Sequence, residues 1–433
     1  MKLKDFLRLA YPSFTIKNLR QYFTIIFIIR GFFVACLLSL SIYLSYFGIE
    51  IFILNTLLAA AGFYLVLKEN RIVLFYTGFF IGIFWFYWIG FSFRYYGFPY
   101  LIPLMILFTA FLYGFLFWLI GLSNSPFIRA LFITGLSYIH PMGFNWLVLE
   151  VTLVNSYIGI EKWQFLAFLM SIAIISDAKK YYKLLAIPLI FSALDFSYKS
   201  APKMPNLKIY LSSPHLSQNI KWNQEYLPKI VNSNLQEIKK AIKKGYDLII
   251  LSESIFPLYL DQTPSLLNTL SKLSKDRAIV TGSLSFKDNK PYNSTYYFID
   301  GKLTIADKVI LVPFGEEIPL PKFIAKFINK IFFDGASDYA TAKEPIDIRI
   351  KDYIFRNAIC YEATREELYK NNPPYMIAIS NNAWFTPSIE PVLQKLLLKY
   401  FSKKYNIIIF HSANMGISTI IKPTHALSFI KQK

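Results

Sequence analysis

The chain holds only two cysteines, Cys36 and Cys360, and four histidines, His140, His215, His411 and His425, in 433 residues. Cys36 lies inside an apolar run and Cys360 far downstream in a charged region, so no disulfide framework is expected. The histidines show no ligand spacing, and CxxC and HExxH are absent, so neither a metal site nor a metal cofactor is expected. Acidic residues are scarce: 27 Asp and Glu face 46 Lys and Arg, a net charge of +19. A nucleic-acid partner is not expected from this charge. The lysines are scattered through both halves, with no basic stripe and no nucleic-acid module. Anionic lipid headgroups are the more natural counterpart.

Charge is scarcest before residue 200, and the composition changes there. The division predicts a transmembrane domain over 1–200 and a catalytic α/β domain over 201–433. Roughly 20 apolar residues cross the hydrocarbon of a bilayer. By that rule the candidate spans are 31–49, 51–67, 72–93, 101–122, 130–149, 154–176 and 184–198, about seven in all. His140-Pro141-Met142-Gly143 and Glu161-Lys162 interrupt 130–176, and part of 141–160 is expected to re-enter or lie along the interface. The first apolar run starts late and further spans follow it, so the N-terminus is not expected to be a cleaved signal. Lys2, Lys4, Arg8, Lys17 and Arg20 should keep it cytoplasmic. Lys68, Arg71, Arg129, Lys179, Lys180 and Lys183 fall in the loops that should share that side. Seven spans then place residues from 199 onward outside. Two roles stay open for the spans: a plain anchor, or walls of a cavity reached by lipid.

From Leu207 the pattern alternates between strand and helix periods. Strands are expected at Leu207–Ser212, Asp247–Leu251, Ala278–Leu284, Tyr292–Asp300, Leu303–Leu311, Phe355–Ile359, Tyr375–Ser380, 406–413 and 417–421. Asp300-Gly301 marks a hairpin. Helices are expected at 224–244, Leu267–Leu273 and Pro391–Lys404, giving a layered α/β domain.

Three polar residues stand at strand ends: Glu253 after Leu248–Leu251, Lys308 within the stretch Ala306 to Glu316, and Cys360 after Asn357-Ala358-Ile359. Strand ends that converge would bring a carboxylate, an ammonium and a thiol into one pocket. A carboxylate can take the thiol proton and return it to a leaving group. A lysine beside sulfur lowers the thiol pKa and can bind a tetrahedral oxyanion. Each residue also has a plain structural role open to it: a small buried side chain for Cys360, a helix cap for Glu253, a surface cation for Lys308.

The local wording narrows the choice. Ser252-Glu253-Ser254-Ile255-Phe256-Pro257, the stretch from Lys308 to Glu316, and Cys360-Tyr361-Glu362 together resemble the nitrilase superfamily. The strings Leu311-Val312-Pro313-Phe314-Gly315-Glu316 and Asn381-Asn382-Ala383-Trp384-Phe385, with the apolar first half, resemble the apolipoprotein N-acyltransferases of bacteria. That resemblance implies a multi-span α-helical membrane domain carrying a nitrilase-like αββα sandwich. It implies Glu253 as general base, Lys308 as stabiliser of oxyanion and thiolate, and Cys360 as nucleophile, with Glu316, Tyr361 and Glu362 supporting them. Trp222, Asn381 and Trp384 would meet substrate. The implied reaction takes an acyl chain from a phospholipid donor onto Cys360 as a thioester. It then passes the chain to the amine of a diacylglyceryl-cysteine on an apolipoprotein acceptor. The implied setting is the bacterial inner membrane, with a monomeric, multi-pass chain and its catalytic domain on the periplasmic side. A membrane-tethered amidase that hydrolyses the same thioester is the alternative. Departures from the usual wording cluster after Cys360. Asn382 stands for aspartate, Thr386 for glycine, and His411-Ser412-Ala413-Asn414 for an arginine-containing segment; Lys395, Lys399, Lys403 and Lys404 fill an arginine-rich helix, and 405–433 holds no closing span.

Overall fold

The structure is a computed structural model that describes residues 24–197, 200, 202–313, 315–316 and 339–428. The basic flank from Lys2 to Arg20, the last residue of the run 184–198, Phe314 and residues 429–433 lie outside the described residues. The chain forms two compact units. One gathers the described residues up to Tyr87 with Pro103–Leu136 and Lys162–Leu194; the other gathers Trp88–Ile102, Ser137–Glu161 and the described residues from Asp195 onward.

In the first unit, three described helices are long and apolar enough to cross a membrane: Ile25–Tyr46, Arg71–Arg94 and Pro99–Ile120. The last two carry their ends, from Trp88 to Ile102, into the second unit. Phe52–Lys68 and Pro126–Leu136 are shorter apolar helices. Small residues let helices approach closely. A Cβ on Gly78 would lie 2.2 Å from the Tyr113 carbonyl oxygen, and one on Gly82 2.6 Å from that of Thr109.

Helix bounds differ from expectation between 130 and 198. The helix entering 130–149 stops at Leu136, and the next long one, Lys162–Asp177, begins eight residues after the expected start of 154–176. Among the described residues of the run 184–198 the α-helix is the short Ala186–Ala193, followed by the strand Phe196–Ser197. Pro141 and a left-handed Met142 (φ 51°) break helical geometry, and single 3-10 turns carry much of the stretch to Glu161.

In the second unit the described strands are β1 (Phe196–Ser197), β2 (Ile209–Leu211), β3 (Leu248–Ile250), β4 (Phe256–Tyr259), β5 (Ala278–Lys287), β6 (Lys290–Ile299), β7 (Lys302–Asp307), β8 (Asp347–Ile350), β9 (Tyr353–Ile359), β10 (Tyr375–Asn381), β11 (Ile408–Asn414), β12 (Thr419–Ile421) and β13 (Leu427–Ser428). One sheet has the order β2-β3-β5-β6-β7 with β4 on β5; the other is β12-β11-β10-β9-β8. Period-two alternation decides which way each side chain faces. Leu248 and Ile250 of β3 join Phe355 and Ile359 of β9 and Ile377 and Ile379 of β10 in one core between the sheets. Ile249 and Leu251 turn the other way, onto Ile238 and Ala241 of the helix Leu227–Lys243 and Leu266 and Leu270 of the helix Pro264–Leu273. The helix Glu390–Tyr405 packs on β11 and β12 of the second sheet. Helices, sheet, sheet, helix make the expected αββα sandwich. The strand expected to reach Leu311 ends at Asp307, which leaves Lys308 just beyond it, and β1, β4, β8 and β13 had no expected counterpart.

Candidate active site

The strand directions bring the three strand-end residues together. β2, β3 and β5 run parallel. β6 is antiparallel to β5, and β7 is antiparallel to β6, so β7 points the same way as β3. Glu253 and Lys308 therefore leave one edge of the first sheet. Cys360 follows β9; β10 beside it and β11 beyond β10 run parallel to it, to Asn381 and Asn414.

Local geometry sharpens each position. The turn after β3 puts Ser254 in the left-handed region, φ 46°. It presses on Gly282 of β5, where a Cβ would meet the Ser254 nitrogen at 2.4 Å and the Glu253 Cα at 2.6 Å. Cys360 itself has φ 56°, so its thiol sits on a strained bend between strand and 3-10 turn.

Glu253 Oε1 accepts from Asn293 Nδ2 at 2.7 Å and lies 3.9 Å from Lys308 Nζ. Lys308 is fully buried and pairs with Glu316 Oε2 at 2.7 Å. Asn293 also donates to Glu316 Oε1 at 2.9 Å, and the Val312 amide donates to Glu316 Oε2 at 2.9 Å. Glu362 joins the two sheets' loops. Its Oε2 accepts from the amides of Val309 and Ile310, at 2.8 and 3.1 Å, and its Oε1 from that of Ile359, at 2.7 Å. The segment after Lys308 and the bend at Cys360 are thus held by one carboxylate.

Charge in the site follows from burial. Burial lowers Lys308, but the Glu316 and Glu253 carboxylates outweigh it and leave its pKa raised, so it stays an ammonium. Burial raises Glu253 above the ordinary carboxylate range, against the pull of Lys308. The Cys360 thiol is raised by burial and then by Glu253; Lys308 lowers it without prevailing. Lys308 thus exerts the expected acidifying pull on the sulfur, and burial together with Glu253 outweighs it.

Four groups that the sequence reading did not single out belong here. Asn293, on β6, bridges Glu253 and Glu316. Lys221 is fully buried and donates from Nζ to the Glu253 carbonyl oxygen at 2.9 Å; burial pushes its pKa down to about 7. Gln394 Nε2 lies 3.8 Å from Cys360 Sγ, and Glu390 is buried nearby. A lysine beside Trp222 and a glutamate at a helix start carry no distinctive spacing.

Of the other expected residues, Tyr361 is buried. Its hydroxyl donates to the Gly143 carbonyl at 2.9 Å and accepts from the Asn145 amide at 3.2 Å, and its ring stacks on Phe144. Trp384 meets Tyr95 and Tyr96 with ring centroids 5.4 and 5.7 Å apart. Trp88 packs on Trp146 and Phe385. The segments 88–102 and 137–161 thereby clothe this side of the domain in aromatic rings. Asn381 is buried and spent on protein partners, donating to Gln218 Oε1 at 3.1 Å and accepting from Asn414 Nδ2 at 2.8 Å. Trp222 is partly exposed and stands apart from the trio's hydrogen bonds, although it follows Lys221 directly. Among the described residues no cluster of His, Cys, Asp and Glu could hold a metal ion.

Residues 25–196 match the apolipoprotein N-acyltransferase integral membrane domain. The apolipoprotein N-acyltransferase of Wolinella succinogenes is 42% identical over 396 residues, covering 90% of this chain and 95% of that one. Those of Helicobacter pylori and Campylobacter jejuni are 40% and 38% identical and cover 91% and 99% of this chain, with 96% and 97% of their own lengths. Among solved structures, a CN-hydrolase superfamily protein of Xanthomonas campestris aligns over 52% of this chain and 86% of its own, at 15% identity and a TM-score of 0.39. With its integral membrane domain and this extent of identity along nearly full-length relatives, the chain belongs to the apolipoprotein N-acyltransferase family.

Proposed function

We propose that this protein N-acylates the diacylglyceryl-cysteine at the N-terminus of apolipoproteins, taking the acyl chain from a phospholipid through a thioester on Cys360. The observation that carries the mechanism is the meeting of Glu253, Lys308 and Cys360 at adjoining strand ends, held by Asn293, Glu316 and Glu362.

In the first half-reaction Cys360 Sγ attacks the ester carbonyl of the donor while Glu253 takes the thiol proton. General-base transfer during attack suits a thiol that burial keeps protonated. The carbonyl oxygen gains negative charge and is met by the Lys308 ammonium. Its 2.7 Å ion pair with Glu316 lacks hydrogen-bond geometry and Glu253 at 3.9 Å is too distant for a hydrogen bond, so its N–H groups are left to donate to that oxygen. Collapse breaks the ester C–O bond, and the lysophospholipid oxygen leaves with the proton from Glu253. In the second half the acceptor amine attacks the thioester carbonyl and gives a proton to Glu253. The C–S bond breaks, and the thiol recovers that proton. Dividing acyl transfer in two replaces one hard step by two easier ones.

The packed aromatic cluster of Trp88, Phe144, Trp146, Tyr361 and Phe385, which directly follows Cys360 through Tyr361, favours transfer over hydrolysis, because water is a competitor for the thioester. The domain would act at the periplasmic face of the inner membrane, where both lipid substrates are membrane-bound. Incubating the full chain with acyl-labelled phospholipid should place label on Cys360, removable by neutral hydroxylamine. Cys360→Ser should carry no label and transfer no acyl chain while remaining folded. Turnover without a Cys360 adduct, or undiminished transfer by the serine variant, overturns the mechanism. Label lost to water in the presence of acceptor would assign the site to a hydrolase.

A further inference from the structure

The trio and its carboxylates leave one buried acid unused. Glu390 opens the helix Glu390–Tyr405 and is 1% exposed, yet among the described residues it forms no ion pair with a cation. Its partners are amides and a hydroxyl. Asn382 Nδ2 lies 2.9 Å from Glu390 Oε1 and 2.7 Å from Oε2, and the Glu390 amide donates to Ser388 Oγ at 3.1 Å. The same Asn382 nitrogen lies 3.0 Å from Gln394 Oε1. Gln394, one helical turn beyond Glu390, carries the chain onward, with its Nε2 3.8 Å from Cys360 Sγ.

Hydrogen counting constrains this arrangement. Asn382 Nδ2 has two N–H groups and faces three acceptor oxygens. An ionised Glu390 leaves one acceptor over, in a buried place with no compensating cation, and that is costly. A protonated Glu390 offers the amide one carbonyl oxygen and leaves the second N–H for Gln394, which removes the buried, uncompensated charge. Burial agrees, raising Glu390 to about 8 against the hydrogen bond from Asn382, with the charge of Glu253 pushing the same way. Asn382 cannot retreat. A Cβ at Gly416 would stand 2.1 Å from its Oδ1, so the β11–β12 connection closes its far side.

We propose that Glu390, Asn382 and Gln394 form an uncharged hydrogen-bonded chain behind the nucleophile that holds the Cys360 thiol in its attacking position. These are positioning residues acting through the sulfur. Cys360 holds a left-handed backbone at the end of β9, and Gln394 Nε2 stands 3.8 Å from its Sγ. A neutral chain does this without adding a second negative charge beside a sulfur that must become a thiolate in passing.

The proposal rests on Cys360 being the nucleophile, so its test needs a readout independent of acyl transfer. In the detergent-solubilised full chain, iodoacetamide alkylation of the Cys360 peptide is followed by mass spectrometry; acylation by labelled phospholipid vesicles is followed alongside. Glu390→Ala and Gln394→Leu should each slow both reactions about tenfold, the size expected for one lost orienting hydrogen bond. Glu390→Gln keeps an uncharged group of the same shape and should return both rates to within about threefold of the parent. Wild-type alkylation rates in both Glu390→Ala and Gln394→Leu overturn the proposal. So does a Glu390→Gln variant as slow as Glu390→Ala, which would mean that the charge matters. Should Glu390→Ala not fold, Gln394→Leu and Glu390→Gln decide alone. If vesicles acylate no variant, parent included, the thioester reading fails while alkylation still reports on the chain.

Discussion

The ammonium of Lys308 stands 2.7 Å from the carboxylate of Glu316, within a site where Glu253 lies farther from it, at 3.9 Å. The division has a chemical consequence. Glu316 bears most of the charge balance of a fully buried cation, and Glu253 keeps an oxygen for the proton it must move. Glu316 also raises Glu253 by repulsion, after burial and against Lys308.

Replacing Glu316 by Gln should therefore lower the pKa of Glu253, since repulsion is lost and Lys308 turns to it. The acid limb of thioester formation should move to lower pH, with a maximal rate reduced by about tenfold to a hundredfold as Glu253 becomes a weaker base and Lys308 a poorer oxyanion ligand. Single-turnover acylation across pH measures both. An unmoved acid limb would show that Glu316 does not tune Glu253.

Glu362 supplies a pH effect on stability. Burial, against Lys308 and three backbone N–H bonds, pushes it up to about 7 from an ordinary value of 4.5. An acid whose folded pKa is raised favours folding below its unfolded pKa, and the benefit fades as pH rises through the folded value. The parent should therefore lose stability relative to Glu362→Gln between about pH 4.5 and 7. Thermal melting of both proteins in detergent across that window checks the sign. A parent that gains on the variant with rising pH would contradict the assignment.

Gly282→Ala tests the bend that aims Glu253. The new methyl would lie 2.4 Å from the Ser254 nitrogen, and both partners there are backbone. The expected cost is about 1–3 kcal/mol of stability from overpacking, with acylation slowed by more than the lost folded fraction explains. Normal single-turnover rates in the folded fraction would show that the bend tolerates displacement.

Lys221→Met tests the second buried lysine. It removes the 2.9 Å bond to the Glu253 carbonyl while keeping an unbranched side chain. Burial pushes this amine down to about 7, so the substitution removes little charge when the rate is measured well above that pH. Acylation should fall about tenfold, the worth of one buried orienting hydrogen bond. An unchanged rate with an intact fold would make Lys221 structural only.

Sequence by itself determined what depends on local pattern. Apolar length announced Ile25–Tyr46 and its neighbours, and short apolar runs announced the strands on which Glu253 and Cys360 end. Strands mixed with helices also foretold a layered α/β domain. Only the tertiary structure decided what depends on meeting across distance. The helix Pro126–Leu136 stops early because the chain from Ser137 to Glu161 finds partners in the catalytic unit, as where Asn145 and Trp146 bond Thr364. Hydropathy windows cannot register such partners. The Cys360 thiol is raised rather than acidified because burial and Glu253 outweigh Lys308, a balance set by depth and distance. Asn293, Lys221, Glu390 and Gln394 lie at ordinary spacings on separate elements. They become a site because parallel strands deliver Glu253, Cys360 and Asn382 to adjoining edges, where burial makes every unpaired polar atom costly.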